Sequence, residues 1–262
     1  LGVDAVFANH DYEPQAIARD AKILALLDNQ GAAFHTFKDH VIFEKSEVLT
    51  LAAKPYSVFT PYKNAWLKKV DAFYLKPYQS EKYAGALVAI PAKYRAGMPT
   101  LEAMGFTRTN LKTLKIPTGS TGGAQLFDDF LSRIDDYGQT RDFPAVKGPS
   151  YLSVHLRFGT VSIRKLAVTA LALSRQGSEG ATVWLSELIW RDFYVQILSN
   201  FPHAATQAFK PEYDRITWEQ GAQADTLFKA WCEGQTGYPL VDAAMAQINQ
   251  TGYMHNRLRM VV

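Results

Sequence analysis

Within the first 43 residues, two strand-like apolar segments flank a stretch whose apolar residues recur with the period of a helix. A short apolar run over residues 3–8 is bounded by polar residues. Pro14 then opens a stretch in which apolar side chains recur at helical spacing, until Asn, Gln and Gly end it at residues 29–31. Residues 32–43 have the composition of a second strand. A strand, a helix and a strand in this order predict part of an α/β layer with a parallel sheet.

The second half of the chain carries helical periodicity instead. Apolar residues at three- and four-residue steps predict a helix near residues 122–134. Ser162 can cap a helix that runs to about residue 177, and another helix is expected over residues 183–200. Residues 238–252 predict one more, with Pro in its first turn and Gly at its end. This half is therefore predicted to be all-α.

Between these two patterns lies a stretch without clear periodicity. It contains four prolines and runs into the glycine-rich sequence TGSTGG. Such a composition is typical of a long connection between domains. We predict an α/β domain at residues 1–70, an interdomain linker at 71–120 and an all-α domain at 121–262.

Composition and charge narrow the class of protein. The 47% hydrophobic and 13% aromatic content can fill a sizeable core, and the single Cys232 excludes an internal disulfide framework. No apolar run is long enough to span a bilayer, and the first residues lack a signal-peptide pattern. We therefore expect a cytoplasmic protein that does not enter a membrane.

The charge is unevenly distributed along the chain. The net charge of +3 is too small to indicate nucleic-acid binding by itself. Residues 141–175, however, hold six Lys and Arg side chains against one Asp. This segment forms either a phosphate-facing patch or an ordinary solvated basic face, and composition does not separate the two.

The segment VWLSELIWRDFY, residues 183–194, combines aromatic and charged side chains. On a helix, Trp184, Glu187 and Arg191 lie on one stripe, with Trp190 and Tyr194 nearby. One interpretation is a surface ion pair four residues apart beside core aromatics. The other is a concave site that stacks a planar ligand and binds its polar edge.

A turn of small residues precedes that helix in RDFPAVKGPSYLS, residues 141–153. Gly148, Pro149, Ser150 and Ser153 lead into a helix, and the backbone N–H groups and hydroxyls of such a turn can bind phosphate. Turns of this composition also serve simply as helix N-caps.

The sequence TGYMHNRLRM, residues 251–260, is a polar cluster after an apolar helix. A helix starting near Tyr253 places Asn256 and Arg259 together, with His255 reaching the same side. A lone His is more often structural, but several donors within a few positions indicate a binding site.

The same motifs carry a family resemblance. TGYPLVDAAMAQINQTGYMHNRLRM, WLSELIWRDFY and RDFPAVKGPSYLS resemble the flavin-domain motifs of the DNA photolyase and cryptochrome family, most closely the class I cyclobutane pyrimidine dimer photolyases. FTPYKNAWLKKV, residues 59–70, is similar to the end of that family's N-terminal α/β antenna domain. The resemblance covers nearly the whole chain. It implies a partial antenna-type α/β domain followed by an all-α FAD-binding domain, with further strands before Leu1 and further helices after Val262.

The resemblance implies FAD as cofactor and assigns residues to it. Ser150, Ser153, Leu152 and Tyr137 are expected at the FAD phosphates and ribityl chain. The side of the isoalloxazine ring is assigned to Arg191, Asn256 and Arg259, with Asn256 near N5, and Trp184 completes the set.

The resemblance further implies UV-damaged DNA as substrate, bound with the lesion flipped out of the duplex. The flipping of a damaged base is a general property of photolyases. Glu187 is expected to hydrogen-bond the dimer, Trp190 to stack on it and Met260 to pack beside it. The remaining assignments are the DNA contacts Arg141, Arg191 and Arg257, and Trp218 as the outermost donor of an electron relay.

Some implied features are less specific. Asn9 and Glu13 fall in the stretch that binds an antenna chromophore in some members, either methenyltetrahydrofolate or a deazaflavin. We expect no metal site and a monomer.

Two residues depart from the family pattern, and several functions stay open. Pro149 stands where Thr is usual, which removes one hydroxyl and one N–H from the phosphate turn, and Tyr253 replaces a usual Trp. The alternatives to dimer repair are a cryptochrome-type blue-light photoreceptor, a (6-4) photolyase and an inactive fragment without flavin. The (6-4) enzymes carry a His pair where this chain has His255-Asn256, so Asn256 favours the cyclobutane substrate.

Overall fold

The N-terminal region is a small parallel sheet with its crossover helix. The computed structural model describes residues 2–262, apart from the side chain of Lys112. Strands β1 (Ala5–Asn9) and β2 (Ala33–Phe37) pair in parallel, with Ala5 opposite Ala33 and Asn9 opposite Phe37. Helix α1 (Pro14–Asp28) connects them. The predicted strand, helix and strand are thus confirmed.

The predicted second strand is too long. Strand β2 ends at Phe37, and the chain then leaves the sheet, so residues 38–43 are not part of it. The backbone N–H groups of Ile42 and Phe43 donate to the side chain of Asp192. Because these donors bond a carboxylate on a distant helix, they are not available to a sheet.

Helices make up most of the remaining structure. In residues 38–262, as far as the structure describes them, no further strand occurs. The α-helices are α2 (Phe59–Lys69), α3 (Ala72–Leu75), α4 (Gly119–Leu131), α5 (Tyr137–Thr140), α6 (Ser153–Phe158), α7 (Ile163–Arg175), α8 (Glu179–Asn200), α9 (Ala222–Glu233), α10 (Pro239–Thr251) and α11 (Asn256–Arg259). Short 3₁₀ turns lie at Ser80–Ala86, Ala92–Tyr94, Leu111–Leu114, Ile134–Asp136, Pro202–Ala205 and Pro211–Arg215.

Local end signals account for most helix boundaries. The Ser162 side chain accepts a hydrogen bond from the backbone N–H of Lys165 and caps α7, as predicted. Helix α10 ends at Gly252, which adopts a left-handed φ of 70° that glycine tolerates. Helix α8 begins at Glu179, four residues earlier than predicted, because Ser178 accepts from the N–H of Ala181.

The final helix differs from the prediction. Helix α11 begins at Asn256 and not near Tyr253. The reason is the side chain of His255, whose Nδ1 accepts a hydrogen bond from the backbone N–H of Arg257 and so caps the helix.

One hydrophobic core joins the N-terminal and helical regions. Trp66 of α2, Phe43, Phe130 of α4 and Leu166 of α7 are all almost fully buried in it. The predicted linker contributes Leu75 of α3, while residues 76–111 are exposed. Helix α8 lies at the centre of the core and presents one face to the cavity described next.

Asp192 ties α8 to the N-terminal region. Its carboxylate is fully buried and accepts hydrogen bonds from Trp66 Nε1 at 3.0 Å, Ile42 N at 3.1 Å and Phe43 N at 3.1 Å. Burial raises the pKa of Asp192 to about 6, although these donors and the neighbouring Arg191 favour the charged form. The contact fixes the rotation of α8, and with it the direction of the side chains on its other face.

Candidate functional site

A cavity of about 630 Å³ lies between α8, the turn before α6, the segment around α11 and the loop after β1. This volume is in the range of small-molecule and cofactor sites. The eight positions that the family motifs assign to the cofactor all line it: Tyr137, Ser150, Leu152, Ser153, Trp184, Arg191, Asn256 and Arg259. Positions more than a hundred residues apart in the sequence therefore share one site.

One wall is the predicted stripe of α8. Trp184, Glu187 and Arg191 face the cavity, separated by three and four residues. The Trp184 ring also packs against Phe130, with ring centroids 4.8 Å apart, so this side chain belongs to the core and to the wall. Of the two interpretations of this segment, the concave site describes the geometry better.

Glu187 and Arg191 do not form the expected surface pair. Glu187 Oε1 instead accepts from Arg141 Nη1 at 2.6 Å, and within the described residues it has no salt bridge to Arg191. The guanidinium of Arg191 donates to the backbone carbonyl of His40. Burial lowers the pKa of Arg191 and also that of His40, so Arg191 is a partly desolvated cation beside a neutral imidazole.

The small-residue turn before α6 forms a second wall. Gly148 approaches Thr140 so closely that a Cβ would lie 2.6 Å from the Thr140 carbonyl oxygen. The guanidinium of Arg133 donates to the carbonyls of Lys147, Gly148 and Pro149 at 2.6 to 2.9 Å. With these carbonyls bonded, the turn presents Ser150 and Ser153 to the cavity.

Arg133 was not predicted as part of the site, because nothing in its sequence surroundings distinguishes it from other arginines near the end of a helix. Its partners lie 14 to 16 positions away. The turn also contains Tyr151, which has a left-handed backbone with φ of 56°. Its ring lies 5.7 Å from that of Tyr253, and both rings border the cavity. A strained backbone at a cavity rim is common at binding sites.

The segment around α11 forms the third wall. Asn256 and Arg259 line the cavity together, as the predicted spacing required. His255 does not join them, since it is buried as the cap of α11. Burial lowers the pKa of His255, which keeps the ring neutral and able to accept at Nδ1. The expectation that His255 reaches the side of Arg259 is therefore wrong.

Two arginines and a methionine of the predicted DNA-facing set lie beside the cavity. Arg141 bonds Glu187 and stands over the ring of Tyr137, 5.3 Å from its centroid. Arg257 Nη2 donates to Asp142 Oδ1 at 2.7 Å. The side chain of Met260 is 70% exposed. This edge is therefore a row of charged and apolar groups in which Arg257 and Met260 are exposed and Arg141 is partly buried.

Three other predicted residues lie outside the cavity lining. Trp190 stacks on Phe59, with centroids 3.6 Å apart, and its other neighbour is Tyr194 at 5.4 Å. Trp218 is 72% exposed on the surface. Asn9 Nδ2 donates to Asp39 at 2.9 Å.

The cavity floor comes from the loop after β1 and was not predicted as part of this site. Asp11, Tyr12, Glu13 and His40 line it, and Arg157 pairs with Glu13 at 3.3 Å. The strand topology could have predicted this floor, because ligands in α/β structures bind beyond the carboxyl ends of the strands. Asp11 and His40 follow β1 and β2 at those ends.

The lining determines what the cavity can bind. Aromatic faces from Trp184, Tyr137 and Tyr253 suit a flat ring. Arg191, Arg259 and the serine hydroxyls suit anionic and hydroxylated groups. The cavity therefore fits a ligand that combines a flat aromatic ring with anionic and hydroxylated groups.

Among the helices of residues 2–262, none combines the length and apolar character needed to cross a bilayer.

Comparison with known proteins gives the same family that the motifs resemble. The family model described as the FAD binding domain of DNA photolyase matches residues 184–262, and the DNA photolyase model matches residues 1–82. A deoxyribodipyrimidine photo-lyase of Vibrio cholerae is 39% identical over 100% of this chain and 55% of its own length. The photo-lyase of Escherichia coli is 37% identical over 99% of this chain and 53% of its own length.

Solved structures share the fold. A class III photolyase from Agrobacterium tumefaciens has a TM-score of 0.82 and 30% identity, covering 99% of this chain and 53% of its own. An archaeal photolyase from Sulfolobus tokodaii, solved with two FAD molecules, has a TM-score of 0.71 and 28% identity over the same shares. A cryptochrome from Synechocystis, at 20% identity and a TM-score of 0.78 over 98% of this chain and 53% of its own, shows likeness of fold alone.

The chain spans about half the length of the curated relatives it matches. The two family models cover three of the four quoted motifs, while RDFPAVKGPSYLS, residues 141–153, lies between the matched regions. Similarity to the relatives extends across the intervening residues as well. The resemblance is confirmed: the chain belongs to the DNA photolyase family.

Proposed function

We propose that this protein is a deoxyribodipyrimidine photo-lyase, a lyase that repairs UV-damaged DNA by splitting cyclobutane pyrimidine dimers with light. The observation that carries the proposal is the cavity, which gathers the eight cofactor positions of the family motifs and places Glu187 at its edge. The names of the relatives support the same reaction.

The proposed cofactor is FAD. Ser150, Ser153 and the N-terminus of α6 would hold its phosphates, with Tyr137 and Leu152 at the ribityl chain. Arg191, Arg259 and Asn256 would lie along the flavin ring, and the Asn256 amide can donate or accept as the protonation state changes. Reduced FAD, when bound and excited by light, supplies the electron that opens the cyclobutane ring.

The side chains at the cavity edge would bind the dimer. Glu187 would accept a hydrogen bond from the base edge, after exchanging its present partner Arg141. Trp190 lies between Phe59 and Tyr194, so one neighbour has to move before Trp190 stacks on a base. The exposed Tyr194 is the side chain able to do so. Met260 would pack beside the lesion.

The remaining assignments belong to the same proposal. Arg141, Arg191 and Arg257 would contact the DNA backbone, and the exposed Trp218 would be the outermost electron donor. Asn9 and Glu13 would lie near an antenna chromophore, methenyltetrahydrofolate or a deazaflavin. The protein would act as a cytoplasmic monomer, with the domain limits predicted from the sequence.

Repair is tested by light-dependent loss of dimers. An oligonucleotide with one thymine dimer is incubated with the chain, FAD and reductant, then irradiated with near-ultraviolet or blue light, and intact thymines are quantified by chromatography. We expect dimer loss in light and none in the dark. Flavin binding without dimer loss would contradict repair and favour the photoreceptor alternative.

A further inference from the structure

Asp142 lies between the two arginines of the DNA-facing edge. Its Oδ1 accepts from Arg257 Nη2 at 2.7 Å and lies 3.6 Å from Arg141 Nε. One carboxylate oxygen therefore faces two guanidinium groups, one near the end of α5 and one on α11. Phosphate oxygens take this position between arginines when nucleic acid binds.

The neighbouring charges favour the ionised form of Asp142. The hydrogen bond from Arg257 holds the pKa of Asp142 below its usual range, with Arg141 adding to the effect. Asp142 is thus ionised at neutral pH. Arg141 has a second partner, because Glu187 accepts from its Nη1 at 2.6 Å. Both guanidinium groups are consequently neutralised by carboxylates of this chain.

The row is also accessible. The side chains of Asp142 and Arg257 are 48% and 38% exposed, and the side chain of Arg141 is 19% exposed. A phosphate can therefore reach them, and the carboxylate can turn away into solvent. Neither movement requires the buried core to open.

We propose that Asp142 is an internal anion that occupies the position of a DNA phosphate between Arg141 and Arg257 and holds down binding to DNA in general. The inference rests on the proposed function. DNA has to displace this carboxylate, which lowers affinity for damaged and undamaged duplexes by the same factor. Recognition of the dimer through Glu187 and the cavity is unaffected.

The test compares Asp142→Asn with the unaltered chain. The amide keeps the shape but removes the charge, so Arg257 is freed for phosphate. An exposed ion pair contributes about 0.2 to 1 kcal/mol, so we expect binding to be tighter by a factor of about 1.4 to 5. The plot of log affinity against log salt should steepen by up to about one unit, because the variant places one more uncompensated positive charge against the DNA phosphates.

Fluorescence anisotropy with two labelled duplexes, one carrying a thymine dimer and one undamaged, measures both effects in the dark. Asp20→Asn is the control, since Asp20 pairs with Arg19 at 2.8 Å on α1 and belongs neither to this edge nor to the cavity lining. It makes the same change in net charge and should alter affinity much less. Asp142→Ala serves as a second variant.

The outcomes separate the inference from the proposed function. Tighter binding of both duplexes by Asp142→Asn, with their ratio unchanged, supports the internal anion. Weaker binding of both, or a change equal to that of Asp20→Asn, overturns it. A chain that binds the two duplexes equally well contradicts dimer recognition, while the undamaged duplex still reports on Asp142.

Discussion

The bonding partner of Glu187 in the structure differs from the one that its sequence spacing indicates. Its spacing from Arg191 is that of a helix surface pair, yet its carboxylate bonds Arg141, 46 positions away. This long-range bond turns Glu187 toward the cavity edge and leaves Arg191 to bind the carbonyl of His40. A carboxylate held at an edge by an exchangeable partner suits binding of a base.

Replacement of Glu187 tests this role. Glu187→Ala should lower the rate of dimer splitting by about 10- to 100-fold, because a hydrogen bond to a charged group contributes about 1.5 to 3 kcal/mol. FAD binding should change far less. Glu179→Ala, an exposed glutamate in the first turn of the same helix, is the control. Equal losses of repair and flavin would show that Glu187 is mainly structural.

At the scale of elements, α8 links the core to the site. One face carries the cavity stripe, and the other buries Asp192 against Trp66 and the backbone of residues 42–43. A buried carboxylate with three N–H donors fixes this rotation more firmly than apolar packing alone. The position of the stripe therefore depends on a residue that does not touch the cavity.

Asp192 should also make stability depend on pH. Its pKa rises from 3.8 to about 6 on burial, so protons bind the folded state more tightly than the unfolded state. The contribution of Asp192 to stability is fully present below its pKa in the unfolded state. It is lost as the pH rises through its pKa in the folded state. Relative to Asp192→Asn, the free energy of unfolding should fall by up to about 3 kcal/mol between about pH 4 and about pH 7.

Urea denaturation at several pH values measures this difference. Asp242 provides a comparison in which stability should change with pH in the opposite direction, since the hydrogen bond from Thr236 lowers the pKa of Asp242. Its contribution should be lost as pH falls. A difference between wild type and Asp192→Asn that grows with rising pH would show that the N–H donors and Arg191 outweigh burial at Asp192.

Elements with local signals were predictable from the sequence. Pro14 and Gly252 mark one helix start and one helix end, and Ser162 caps another. The stripe of α8 follows from spacing alone. The end of β2, the cap by His255 and the role of Arg133 did not follow, because each depends on a side chain whose hydrogen bonds compete with regular structure.

At the scale of the whole molecule, the cavity depends on the packing of the N-terminal region against the helices. The family motifs predicted its walls, since they lie in the segments that α8, α6 and α11 contribute. They did not predict its floor at residues 11–13. This segment follows β1 and contacts α6 through the ion pair between Glu13 and Arg157. The site is thus a property of the assembled fold.

Titration of the chain with FAD, followed by quenching of flavin fluorescence, tests the central claim most directly. Ser153→Trp places a large ring in the cavity at the position proposed for the phosphates, and Ser80→Trp adds the same ring at an exposed position outside it. We predict saturable one-to-one binding by the wild-type chain and by Ser80→Trp, and binding at least about tenfold weaker, or about 1.4 kcal/mol, by Ser153→Trp. Absence of saturable binding to the wild-type chain, or equal affinity of Ser153→Trp, would contradict the assignment of this cavity to the flavin.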